Sequence, residues 1–145
     1  MLTTEIIKQA PKALLHDHLD GGLRVKTILE LSLIHIWRCR RRLPYDNEKD
    51  LADWFHTAVQ GSLEIYLETF AHTVGVMQTP DAITRVAREC VEDLASDGVV
   101  YAEIRFAPEL HTAQGLSYEQ VIDAVLKGFR EGEQISHITG HNIKV

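Results

Sequence analysis

At 145 residues the chain has the size of one ordinary domain, and a composition 45% hydrophobic and 25% charged excludes a disordered polymer. A net charge of -6 argues against a nucleic-acid surface, with the single basic run RCRRR at 38–42 as the exception. No apolar run reaches the roughly 20 residues of a membrane span, and MLTTEIIKQAPK lacks the order of a signal peptide, so a cytoplasmic protein without a membrane partner is expected.

In chain order, KALLHDH at 12–18 reads as a short apolar strand ended by the glycines of DGGL. LRVKTILEL then has helical spacing. Between 51 and 78, LADWFHTAV and SLEIYLETFAHTVGVM predict two more helices, with Leu63, Tyr66, Leu67, Phe70 and Val74 at helical intervals. TPDAITRVARECVEDLASDG predicts the clearest helix. Thr79 is its N-cap, Pro80 its first residue, and Gly98 its stop; Ile83, Val86, Ala87, Cys90, Val91 and Leu94 form the apolar face. Cys39 and Cys90 are too few for a disulfide framework, and Cys90 reads as a core residue. VVYAEIRFAP follows as a buried strand. LSYEQVIDAVLKGFREGE opens with Ser117 and Gln120 in capping-box spacing and is expected to bury Val121, Ile122, Val125, Leu126 and Phe129. HNIKV at 141–145 reads as the start of a third strand.

Strands alternating with helices imply a parallel sheet covered by helices, in an open sheet or a (β/α)8 barrel. No strand is followed by a glycine-rich phosphate loop. Polar residues instead crowd the strand ends, where barrels keep their chemistry, so a barrel is favoured. The expected fold class is α/β: the N-terminal part of a (β/α)8 TIM barrel, incomplete, with about three of its eight strands over 1–145. Side chains alternate along a strand, which places His16, His18 and Asp20 on one side, Asp17 and Leu19 on the other. Two imidazoles on one face can hold a zinc-type cation, although a catalytic site needs at least one further ligand. The competing reading is one core histidine and one incidental one.

PKALLHDHLDGGLR, SLEIYLETFAHTVGVMQTP and DGVVYAEIRFAPELH together resemble the N-terminal portion of the adenosine deaminases, metal-dependent hydrolases built on (β/α)8 barrels. The resemblance implies a Zn2+ ion with His16 and His18 as ligands. It also implies that His18 and Asp20 bind substrate, Asp20 at the ribose 5′-hydroxyl. Leu63, Tyr66, Leu67 and Phe70 match a helix that closes an apolar lid over the purine, with ordinary core packing as their alternative. The implied reaction is zinc-dependent deamination of adenosine, and of 2′-deoxyadenosine, to inosine and ammonia. The small-molecule partner is a purine nucleoside, because relatives acting on free adenine carry Glu where this chain has Asp20. The alternatives are a hydrolase acting on adenine or another purine, or a half-barrel without enzymatic activity. The family's remaining zinc ligands and its catalytic residues would lie beyond Val145, so this chain alone is expected to be inactive. His111, His137 and His141 match none of those motifs and read as loop or solvated residues. Glu103 and Arg105 are expected to pair inside the barrel.

LSLIHIWRCRR at 31–41 interrupts a helix that the family continues as an acidic, alanine-rich segment. Reverse-translated, it is similar to a transposase sequencing adaptor, with a stop codon read as Trp37. It is therefore read as a non-native insertion; the alternative is a basic loop that touches an anionic partner.

Overall fold

The computed structural model describes residues 3–34, 43–59 and 61–145. Trp37, Cys39 and the basic run at 38–42 lie outside the described residues.

Two parallel strands form the centre: β1 (Lys12–His18) and β2 (Val99–Arg105). Leu14 is opposite Ala102 and Asp17 opposite Ile104, so β1 carries one more residue than β2 over that span and bulges at Leu15 and His16. The third strand is present as its first contact only. Ala102 donates to the carbonyl of Lys144 at 2.9 Å, and Lys144 donates to that of Val100 at 3.0 Å, giving a parallel bridge between Tyr101 and Lys144. β1, β2 and this bridge are the start of a parallel sheet.

One sheet face is covered. Val99 and Ala102 pack with Val91 and Ala95, joined by Ile143 and the half-buried Leu14 and Ile104. The other face is open, with Ala13, His16, His18, Tyr101, Glu103 and Arg105 exposed.

Six helices accompany the sheet among the described residues: α1 (Thr4–Gln9), α2 (Val25–Ile34), α3 (Glu48–Val59), α4 (Leu63–Val76), α5 (Pro80–Ser96) and α6 (Tyr118–Ile138). The caps read from sequence are formed. Thr79 accepts from the Ala82 amide with Pro80 in the first turn, and Gly98 turns the chain at φ 82°. Ser117 and Gln120 complete a capping box. The short α1, capped by Thr3, lies before the first predicted strand and was not expected.

The buried side of α6 differs from expectation. Val121 and Val125 are buried and Phe129 is half-buried, but Ile122 and Leu126 stand 43% and 46% exposed. The helix instead seats Ala124, Gly128 and Gly132 against α5. A Cβ on Gly128 would lie 2.4 Å from the Thr84 carbonyl oxygen. Two glycines let the backbones approach closer than larger side chains permit, and this rotates the apolar pair outward.

Charge fastens α2 to α5. Glu89, buried within α5, accepts from the Thr27 hydroxyl at 2.6 Å and from Arg85 Nε at 2.8 Å, while Arg85 also reaches Glu30 at 2.6 Å. Arg24, two residues after the glycine turn, bonds Asp93 at 2.6 Å and Glu92 at 3.0 Å. These bonds hold the chain that leaves β1, and with it the loop carrying Asp20. None of the described helices is long and apolar enough to cross a membrane.

Candidate active site

The site is built at the carboxyl end of β1. Its last strand contact is the Leu19 amide donating to the Arg105 carbonyl at 3.0 Å, after which the Gly21 amide turns back to His18 O at 3.0 Å. Leu19 is anchored in the core. Gly21 lies under a ring: a Cβ there would stand 3.4 Å from Cζ of Phe70. Helix α4 thus rests on the turn that carries Asp20.

The rings of His16 and His18 are neighbours, with centroids 5.4 Å apart and planes tilted by 35°. Both residues are exposed on the open sheet face. Asp20 departs from simple alternation, because the strand ends at His18 and the turn swings the carboxylate inward. Its side chain keeps 7% of its surface, and Oδ1 lies 3.9 Å from Nδ1 of His18. The two imidazoles are open and the carboxylate beside His18 is buried.

Neutral imidazoles suit a zinc-type cation, and these two rings stand side by side on the face where barrels work. Among the described residues no group of three or more potential ligands is gathered, so the donors present fit half of a catalytic metal set.

In α4, Leu63 is 70%, Leu67 55% and Tyr66 36% exposed, while Phe70 is half-buried. Tyr66 meets Phe70 edge to face at 5.2 Å. The buried side of the helix is Thr69, Thr73 and Val76. The apolar residues at 63, 66 and 67 are exposed here, and of the four only Phe70 is seen against the turn that carries Asp20.

Glu103 and Arg105 share the open face but form no ion pair among the described residues. Glu103 accepts from the Tyr101 hydroxyl at 3.1 Å, which holds the phenol pKa above its ordinary value.

His111 was missed as a site neighbour. It is not a solvated loop residue but fully buried, in a 3₁₀ turn at Pro108–His111 just beyond β2. Its Nδ1 lies 3.1 Å from the carbonyl of Met77, and burial lowers its pKa. Gln78 joins the same loop to α4, donating to the carbonyls of Val74 and Leu110 at 2.9 Å and accepting from the Ala113 amide at 3.1 Å. The available signal was position: a histidine in the loop after a barrel strand sits where site residues gather. His137 and His141 are exposed, as expected.

Comparison with known proteins identifies the family. Residues 11–145 match the family profile described as adenosine deaminase. An adenosine deaminase from Mycobacteroides abscessus is 62% identical over 140 residues, covering 96% of this chain and 38% of the relative. The chain thus spans about two fifths of the length of the curated relatives it matches. The solved N6-methyl-AMP deaminase from Arabidopsis thaliana superposes with a TM-score of 0.68 at 31% identity, over 90% of this chain and 36% of that one. An amidohydrolase from Burkhoderia ambifaria, solved with bound Zn, gives a TM-score of 0.73 at 20% identity over 99% of this chain and 38% of its own, and bears on the fold alone.

Proposed function

The chain belongs to the adenosine deaminase family, and we propose that the protein carrying it converts adenosine, and 2′-deoxyadenosine, to inosine and ammonia. The observation that supports this most is the pair of imidazoles on the open sheet face, with the buried Asp20 carboxylate 3.9 Å behind His18.

In this reading His16 and His18 hold a zinc ion, joined by ligands from outside the described residues. A zinc ion, when bound, supplies a water acidified toward neutral pH for attack on the purine. Asp20 accepts a hydrogen bond from the ribose 5′-hydroxyl, and its burial strengthens that bond by excluding competing water. His18, whose Nδ1 lies 3.9 Å from the Asp20 carboxylate, would serve the metal and meet the same sugar. Phe70 and Tyr66 offer ring faces, and Leu63 and Leu67 aliphatic surface, for covering the base. Removing water from the base favours binding of its apolar faces. The proton donor to the purine ring is not among the residues described.

The experiment is metal analysis and inosine production in a full-length deaminase carrying this chain. His16→Ala and His18→Ala should each lower zinc content and abolish deamination. Full zinc occupancy with undiminished turnover in the double variant would remove the metal assignment. Faster deamination of adenine than of adenosine would replace the nucleoside with the free base.

A further inference from the structure

Gln78 lies just past the last turn of α4 and is buried, and both hydrogens and the oxygen of its side-chain amide are engaged. Its nitrogen donates to the carbonyls of Val74 and Leu110, each at 2.9 Å, and its oxygen accepts from the Ala113 N–H at 3.1 Å. The amide can take one orientation only, because two of these partners accept and the third donates. The first bond stays within the end of the helix; the other two cross to residues 32 and 35 positions later, in the loop after β2. His111 adds to the same seam, with Nδ1 3.1 Å from the Met77 carbonyl.

The middle of α4 is held differently. Thr69 and Thr73, on its buried side, spend their hydroxyls on the carbonyls of Tyr66 and Phe70 within the helix. Apolar packing is non-directional, whereas a hydrogen bond weakens steeply away from its best length and angle, so the bonds of Gln78 fix the register of the helix end. Val74, whose carbonyl Gln78 binds, is one helical turn from Phe70. The Phe70 ring lies over Gly21, where a Cβ would meet Cζ at 3.4 Å and Cε1 at 3.5 Å.

We propose that Gln78 is a positioning residue for Phe70: by fastening the last turn of α4 to the loop after β2, it sets where the ring lies beside the Gly21 turn and over the base of the nucleoside. The proposal rests on the role of Phe70 in covering the base, given above.

The test is steady-state kinetics with adenosine in the full-length, zinc-loaded enzyme. Phe70→Ala should raise KM about tenfold, the scale of one contact between a base and an aromatic ring. Gln78→Met keeps the length of the side chain and removes its three bonds. It should raise KM about fivefold and leave kcat within about twofold, the pattern of lost binding. Gln78→Met added to Phe70→Ala should raise KM no further, because the residue acts through that ring. A residue that only stabilised the fold would lower the fraction of active enzyme, which cuts apparent kcat and leaves KM alone. That result, an unchanged KM, or effects of the two substitutions that multiply, overturns the role of Gln78 while the role of Phe70 stands. An unchanged KM in Phe70→Ala removes the cover over the base, and the proposal with it. Should Gln78→Met fail to fold, a crystal structure of the unsubstituted enzyme with an adenosine analogue decides: Gln78 must keep its three bonds and Phe70 must touch both Gly21 and the base, and the loss of either overturns the proposal.

Discussion

Gly132 of α6 lies so close to Val91 of α5 that a Cβ on the glycine would stand 2.6 Å from the valine Cβ, and 2.8 Å from the carbonyl oxygen of Arg88. The second atom is backbone and cannot swing aside, so an added methyl group must push two helices apart.

Gly132→Ala should therefore destabilise the full-length protein by about 1–2 kcal/mol net: an overpacking cost in the upper part of the roughly 1–3 kcal/mol range, because backbone must shift, less the roughly 1 kcal/mol that alanine returns as a better helix former. Gly75→Ala is the control of opposite sign. It lies in α4 with nothing within 4 Å of an added Cβ, so it should stabilise by up to about 1 kcal/mol. Thermal midpoints of the two variants should move in opposite directions. A Gly132→Ala protein as stable as its parent would mean that α5 and α6 are not packed so closely.

Glu89 is the node of the α2 and α5 junction. Glu89→Ala leaves the Thr27 hydroxyl and the half-buried Arg85 guanidinium without their acceptor and should cost about 1.5–3 kcal/mol, the range for hydrogen bonds to a charged group. Glu89→Gln keeps the shape but exchanges one acceptor for a donor, and its loss should be intermediate. Denaturant midpoints measure both. Equal stability of all three proteins would show the network to be a solvated surface cluster.

Burial pushes the Cys90 thiol up to about 12, with the charges of Asp17 and Asp93 adding to the effect. At pH 8 about one thiol in ten thousand is then ionised, and the thiolate is the reacting form. Alkylation of Cys90 by iodoacetamide, followed by peptide mass mapping, should be slow in the native protein. It should rise about tenfold per pH unit through the alkaline range and become fast once denaturant unfolds the chain. Labelling at the rate of a free thiol at pH 8 contradicts the buried placement.

We propose that 31–41 does not belong to the native sequence. Residues 31–34 continue α2, with Leu31 in the core, so the segment's apolar start is compatible with the helix while the rest lies outside the described residues. Resequencing the locus from independent genomic DNA should return different codons for 31–41. An identical reading would make the arginines at 38, 40 and 41 genuine and restore the basic loop as a binding surface.

How far the sequence carried depended on the range of the signal. Helix α5 was legible because Thr79, Pro80 and Gly98 are local punctuation, and β2 because an apolar run directly follows the glycine. Helix α6 was legible in its ends and not in its facing. Its apolar positions at 121, 122, 125, 126 and 129 span too wide an arc to choose a side, and the deciding residues were glycines four apart. The outline of the site was legible in His16 and His18. The burial of Asp20 was not, because alternation orders side chains only while the strand lasts and β1 ends at His18. His111 was the least accessible, since its observed partner Met77 lies 34 residues earlier in the chain and no local pattern marks it.

The bonds from Gln78 and His111 also anchor α4. They tie its carboxyl end to the loop after β2, while Leu63 to Leu67 at the opposite end stand exposed. Near its midpoint Phe70 meets the Gly21 turn. One helix thereby joins the two loops that leave β1 and β2: its middle touches the turn that carries Asp20, and its end is tied to the loop that carries His111.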